Sequence, residues 1–239
     1  MRLLIKVSIV LSLLTQSSMA ADVVARITRI EGKVSILRAS SDNWLNAKPA
    51  MPLEAGDQIY TREESFAEIR YAIGTILRMG EKTKITLEAS SEKTIKTRSS
   101  VGDLWVNMKK LLSKGKEFEV SSPTAVAAIR GTVYRMSCSQ DSTSVVSVFD
   151  GRVAVGPSDV LKRRTDPAKP AQQIEKPVEV PGPEEIPGPF EVSLEQWREI
   201  VAGQEIAVRR DGKFKQGKFD LKAAAREEFV KKNMELDKE

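Results

Sequence analysis

Few residues in this chain have the type and setting for recognition chemistry: Arg130 and Thr132, which flank Gly131, and Trp44, which stands beside Asn43 and close to Asn46. A guanidinium offers a planar fork of donors, so Arg130 could hold a carboxylate or phosphate bidentately. In a strand-like run its other use is to stack on an aromatic ring or tie neighbouring carbonyls. Trp44 also has two readings, a platform for a sugar ring or an anchor of the core.

Catalytic chemistry is poorly served. Histidine is absent, which excludes Ser-His-Asp and Cys-His catalysis and His-ligated zinc or haem. No glycine-rich loop is placed to cradle a phosphate before a helix, and there is no kinase or dinucleotide signature. Acidic residues are plentiful, so composition leaves a carboxylate-pair glycan-active enzyme as an alternative, yet none of them forms a recognisable constellation. The expectation is a non-enzyme, with no catalytic, cofactor-binding or metal-ligating residues and no cofactor.

The elements that would position these side chains follow an export signal. Arg2 and Lys6 precede an apolar run from Val7 to Leu14, and Ser18-Met19-Ala20 offers small residues for cleavage after Ala20. The apolar core is short against the roughly 20 residues needed to span a bilayer, and no later stretch is long and apolar enough. Losing the signal lowers the formal charge from +5 to +3, too mild for a nucleic-acid partner. The single cysteine, Cys138, cannot close an intramolecular disulfide and is expected as a buried thiol on a strand.

From residue 21 to 156 short alternating runs are separated by Gly, Asp, Asn or Ser. Val23 to Ile30, Lys33 to Arg38, Gln58 to Tyr60, Phe66 to Ala72, Thr75 to Met79, Lys84 to Leu87, Lys93 to Thr97, Gly102 to Val106, Glu117 to Ser121, Val133 to Cys138, Ser144 to Phe149 and Arg152 to Val155 read as strands. Met108 to Leu112 could make one helical turn. Gly56-Asp57, Gly102-Asp103, Asp150-Gly151 and Asp211-Gly212 read as turns rather than catalytic acids. The class is all-β, a compact sandwich or a short solenoid-like stack, and Trp44 and Trp105 are candidates for its core.

Residues 157–190 hold eight of the eleven prolines and read as an exposed disordered loop or linker. Residues 191–215 read as a short helix near 194–202, started by Ser193 and striped by Leu194, Trp197 and Val201, then a closing strand at Glu205 to Val208. Residues 216–239 read as a C-terminal helical tail with Leu221, Ala225, Phe229 and Met234 on one face.

Gly32-Lys33-Val34, Leu53-Glu54-Ala55-Gly56-Asp57-Gln58-Ile59-Tyr60-Thr61, the run from Thr124 to Met136 and Val148-Phe149-Asp150-Gly151-Arg152-Val153 together resemble the FecR-type domain, a bacterial periplasmic all-β module. In well-known members that domain is the periplasmic half of a transmembrane regulator that controls a sigma factor. The anti-sigma half has no counterpart here, so the resemblance implies a stand-alone exported form with no direct sigma-factor contact. The expected role is a binding module of the periplasm or cell surface. It would engage an envelope protein, by strand addition at a sheet edge, or a cell-wall polymer. The alternative is a component of envelope signal transduction working through a separate membrane partner.

Overall fold

The computed structural model describes residues 23–88, 94–108, 117–129, 131–158 and 197–239. The export signal, Arg130, the helical turn expected from residue 109 onward and most of the proline-rich stretch with the helix start at 194–196 lie outside the described residues.

Among the described residues seventeen strands form one hydrogen-bonded ladder folded over into two layers. The front layer runs β4 (Pro52–Glu54), β1 (Val23–Glu31), β6 (Phe66–Tyr71), β7 (Ile76–Met79), the second half of β9 (Thr94–Asn107), β12 (Val133–Cys138), β13 (Ser144–Asp150), β16 (Gln204–Val208) and β17 (Phe214–Lys218). The back layer runs β3 (Trp44–Asn46), β2 (Val34–Leu37), β5 (Gln58–Thr61), β8 (Lys84–Leu87), the first half of β9, β10 (Glu117–Ser121), β11 (Ala125–Ile129), β14 (Arg152–Pro157) and β15 (Arg198–Val201). Every pairing is antiparallel except that of β9 with β10.

Alternation along each strand sends one set of apolar side chains into the space between the layers. Ile27, Leu77, Leu104, Tyr134 and Met136 enter from the front, and Ile36, Ile59, Ile85, Phe118 and Val120 from the back, all fully buried. Tyr71 joins the two sets: its ring meets Phe118 edge-on at 4.8 Å and its hydroxyl lies 2.6 Å from Thr97 Oγ1. The architecture is therefore a two-layer β-sandwich. Cys138 is a buried free thiol on β12, as its sequence setting suggests.

Three sequence expectations need correction. The runs expected at Lys93 to Thr97 and Gly102 to Val106 are not two strands, and Gly102-Asp103 is not a chain reversal: residues 94–97 and 102–106 belong to the fourteen-residue β9, and Lys93 lies outside the described residues. Gly102, at φ +100°, bends β9 from one layer into the other, and a Cβ there would lie 2.2 Å from Thr83 Oγ1. That hydroxyl accepts the N–H of Asp103 at 3.0 Å and so holds the bend.

Residues 198–201 form β15 rather than part of a helix. Ile200 is fully buried while Val201 stays 42% exposed, a two-residue period that pairs with β14 and overrides the helical stripe. Trp197 lies against Gly156, where a Cβ would come within 2.8 Å of its indole.

The tail is likewise not one helix. Residues 216–218 belong to β17, which closes a hairpin with β16 around Asp211-Gly212. Two helices follow, α1 (Leu221–Ala224) and α2 (Glu228–Leu236). Asp220 caps α1 by accepting the Lys222 N–H at 2.9 Å. The side chains that α2 buries are Val230 and Asn233, not the exposed Leu221 and Met234.

Candidate functional site

Paired residues of antiparallel strands share a face, so the outer surface of the back layer can be read in rows. Trp44, Leu37, Gln58 and Thr86 form one row, and Asn46, Ser35, Tyr60 and Lys84 the next. Trp44 lies on the strand β3, not in the polar loop its neighbours suggest, and 42% of it is exposed. Its ring meets Tyr60 edge-on at 6.5 Å and carries the Lys84 ammonium 5.4 Å from its centroid. Arg62 lies 5.8 Å from the Tyr60 centroid. Both rings therefore hold a cation of their own, and among the described residues neither Lys84 nor Arg62 enters an ion pair.

The outer face of the front layer is built differently. Glu68, Arg78, Trp105, Arg135 and Ser147 form a row across β6, β7, β9, β12 and β13, and α2 lies over it. The Arg78 guanidinium is buried between Glu68 Oε2, at 2.7 Å, and Asp237 Oδ1, at 2.5 Å. The Trp105 indole N–H donates to Asp237 Oδ2 at 2.9 Å. Arg135 donates to Asp103 at 2.8 Å and to Glu227 at 2.6 Å, and Lys232 reaches Glu31 at 2.6 Å while lying 4.0 Å over the Phe66 ring.

Burial works against ionisation of Glu68. Hydrogen bonds from Thr28 and Arg78 and the charges of Arg78 and Arg70 outweigh it and hold this carboxyl below the ordinary range. Each of these carboxylates is thus met by a guanidinium or, at Glu31, by an ammonium, an arrangement for docking α2 rather than for transferring protons. A cleft of about 520 Å³ beside α1 is lined by Arg135, Phe149, Phe219 and Glu227, and its arginine is already shared by two carboxylates.

Residues 57–154 match the family model described as FecR protein. Over that segment the chain is similar to FecR proteins. It is also similar to two solved structures, both described as a "putative anti-sigma factor" from Parabacteroides distasonis ATCC 8503. Each is 14% identical: one match covers 68% of this chain and 60% of that one at a TM-score of 0.46, the other 70% and 63% at 0.47. The chain thus spans less than two thirds of the length of these relatives. No curated protein matches it.

The FecR match begins at β5 and ends in β14, so it holds Tyr60, Arg62 and Lys84 but not Trp44. Strands β1 to β4 precede it and β15 to α2 follow it, and these flanking strands complete both layers.

Within the matched segment, Asp57 is a turn residue as its sequence suggests. It is buried and accepts from Arg38 at 2.6 Å, the Ala39 N–H at 3.1 Å and the Glu54 N–H at 3.0 Å. Thr132 is only 1% exposed and donates to the Arg152 carbonyl at 2.7 Å, across the turn at Gly151. The structure therefore does not bring Thr132 and Trp44 to one surface.

Sequence reasoning missed Arg78, Glu68 and Asp237. Arg78 occupies an outward position in Ile76-Leu77-Arg78-Met79, which reads as solvent-facing until α2 covers it. The charged outward side chains of adjacent strands were the available signal, and Asp237 lies too far along the chain to be linked to them.

Proposed function

We propose that this chain is a non-catalytic binding module of the cell envelope, acting at the periplasm or cell surface. Its ligand is an envelope protein or a cell-wall polymer. The FecR match supports the envelope setting and a regulatory rather than enzymatic role. Among the described residues no helix is long and apolar enough to cross a membrane, and no cluster of acidic or cysteine side chains is set to hold a metal.

The observation that carries the reading is the exposed pair Trp44 and Leu45 with Lys84 and Arg62 nearby, neither of which has a carboxylate partner among the described residues, in a fold whose other aromatic-rich face is covered. A large aromatic beside unpaired cations is the composition of a recognition surface. Arg130 belongs to the proposal as an anion contact, and Thr132 as the group that fixes the neighbouring turn.

Capture from envelope extracts on the immobilised chain tests it. The wild type should retain a protein or peptidoglycan that a Trp44→Ala variant does not. Retention of neither overturns the reading.

A second reading, relay of an envelope state to a separate membrane partner, rests on the FecR match. Deleting the gene and profiling transcripts separates the two, because a relay predicts a coherent set of changed transcripts and a scaffold does not.

A further inference from the structure

Among the described residues four strands border the two layers, and each has one hydrogen-bonded neighbour there: β4 and β17 in front, β3 and β15 behind. An open border presents unpaired main-chain donors and acceptors, which proteins usually blunt. Three of these borders are blunted here.

On β4, the Pro52 carbonyl accepts from Arg38 at 2.8 Å and the Glu54 N–H donates to Asp57 at 3.0 Å. On β15, Arg198 and Glu199 carry charge and the Val201 N–H donates to Gln204 at 3.1 Å. On β17, Lys215 and Lys218 stand on an exposed strand.

The fourth border has no such device. β3 reads Trp-Leu-Asn, without charge or proline, and residues 42–46 are all exposed. The direction of its main chain follows from one bond. The Ala47 N–H donates to the Val34 carbonyl at 2.9 Å, so this opposed pair points toward β2. Antiparallel pairs alternate, hence Leu45 also points toward β2 while Asn46 and Trp44 turn their N–H and C=O groups outward. Among the described residues no main-chain partner meets β3 on that side. Leu45, 49% exposed, and Trp44 flank this open ladder on its two faces.

Resting on the binding-module reading, we propose that β3 is where the partner docks, and that the partner is an extended polypeptide segment that pairs with the main chain of Trp44 and Asn46 and carries a carboxylate side chain. The carboxylate follows from charge. A residue opposite Asn46 stands at the end of the row that leads through Ser35 and Tyr60 to Lys84, with exposed Lys48 two residues on. Asp42, before Trp44, disfavours an acid at the other end. A sugar polymer fits less well, because the Trp44 ring that would stack on it already lies under the Lys84 ammonium.

A displayed library of random linear peptides, selected on the full exported chain, tests the proposal. Enriched peptides should lack proline, carry Asp or Glu, and protect the Trp44 and Asn46 amides from hydrogen exchange when bound. Asn46→Pro removes an N–H that the fold does not use, and should weaken peptide binding about tenfold or more, the worth of about 1.4 kcal/mol, with little change in unfolding midpoint. Leu45→Lys, which adds a blunting charge and leaves the main chain intact, should do the same.

Peptides that bind with equal affinity to Asn46→Pro and Leu45→Lys would overturn strand addition. So would retention of peptidoglycan fragments, rather than peptides, through Trp44. If envelope capture succeeds and Asn46→Pro captures equally well, the binding module stands and its docking at β3 falls. If the wild type captures nothing, both fall.

Discussion

The two layers answer the same problem, an outward face of aromatic and charged residues, in opposite ways. In front, Trp105 and Arg78 disappear under α2, and the charges of Arg78, Glu68 and Asp237 meet one another. Behind, Trp44, Lys84 and Arg62 share only ring contacts among the described residues. A face whose charges are all satisfied contributes to stability, whereas one left unsatisfied is available to another molecule. The difference separates structural from functional roles among residues of similar type.

The largest effect should come from removing the buried guanidinium. Arg78→Ala leaves the buried Glu68 with only Arg70, at 3.9 Å, and strips the half-buried Asp237 of its guanidinium, and should cost about 3 to 5 kcal/mol in denaturant unfolding. Lys84→Ala, the matched change behind, should stay within about 0.5 kcal/mol. Equal costs at the two positions would erase the contrast.

Next is the bend that ties the layers together. Gly102→Ala combines a left-handed φ with a close approach to Thr83, and should cost about 2 to 3 kcal/mol, read as a lowered thermal midpoint. Asp237→Asn keeps the shape but weakens the bonds to Arg78 and Trp105, and about 1 to 3 kcal/mol is expected for losing the charge in these hydrogen bonds.

The front face should also be the acid-sensitive one. The Glu68 carboxyl is held below its ordinary value of 4.5 in the folded chain, so its contribution is full above that value and is lost as pH falls below it. Unfolding midpoints measured through this range should drop in the wild type. They should drop less in Glu68→Gln.

The smallest stability change is expected for Trp44→Ala, within about 0.5 kcal/mol. The same variant should show the largest loss of envelope capture.

Much of this fold is legible in the chain because burial writes a two-residue period. Phe66 to Tyr71, Lys84 to Leu87 and Val133 to Cys138 each bury alternate or nearly all positions, and the period marks them plainly. β3 and β17 border the layers and bury little, so they carry no such signal. Four residues at β15 suit either period, and only the neighbour β14 decides.

Of the candidate site, Trp44 is legible as an aromatic among polar neighbours, but the sequence leaves open whether it is exposed or anchors the core. Its partners are not legible, because Tyr60 and Lys84 meet it through pairings on β2, β5 and β8, and Arg62 joins only through the Tyr60 ring. The burial of Thr132 is equally hidden, since the carbonyl it binds belongs to Arg152 across a hairpin.

The lone thiol on β12 has a practical consequence. Burial raises the pKa of Cys138, despite hydrogen bonds from Ser99, Ser144 and Ser122 that oppose the rise, so it stays protonated and shielded from reagents. Being the sole sulfhydryl of the chain, it turns alkylation into a clock: the rate at which the native protein is tagged counts how often the sandwich opens, with no reporter to engineer.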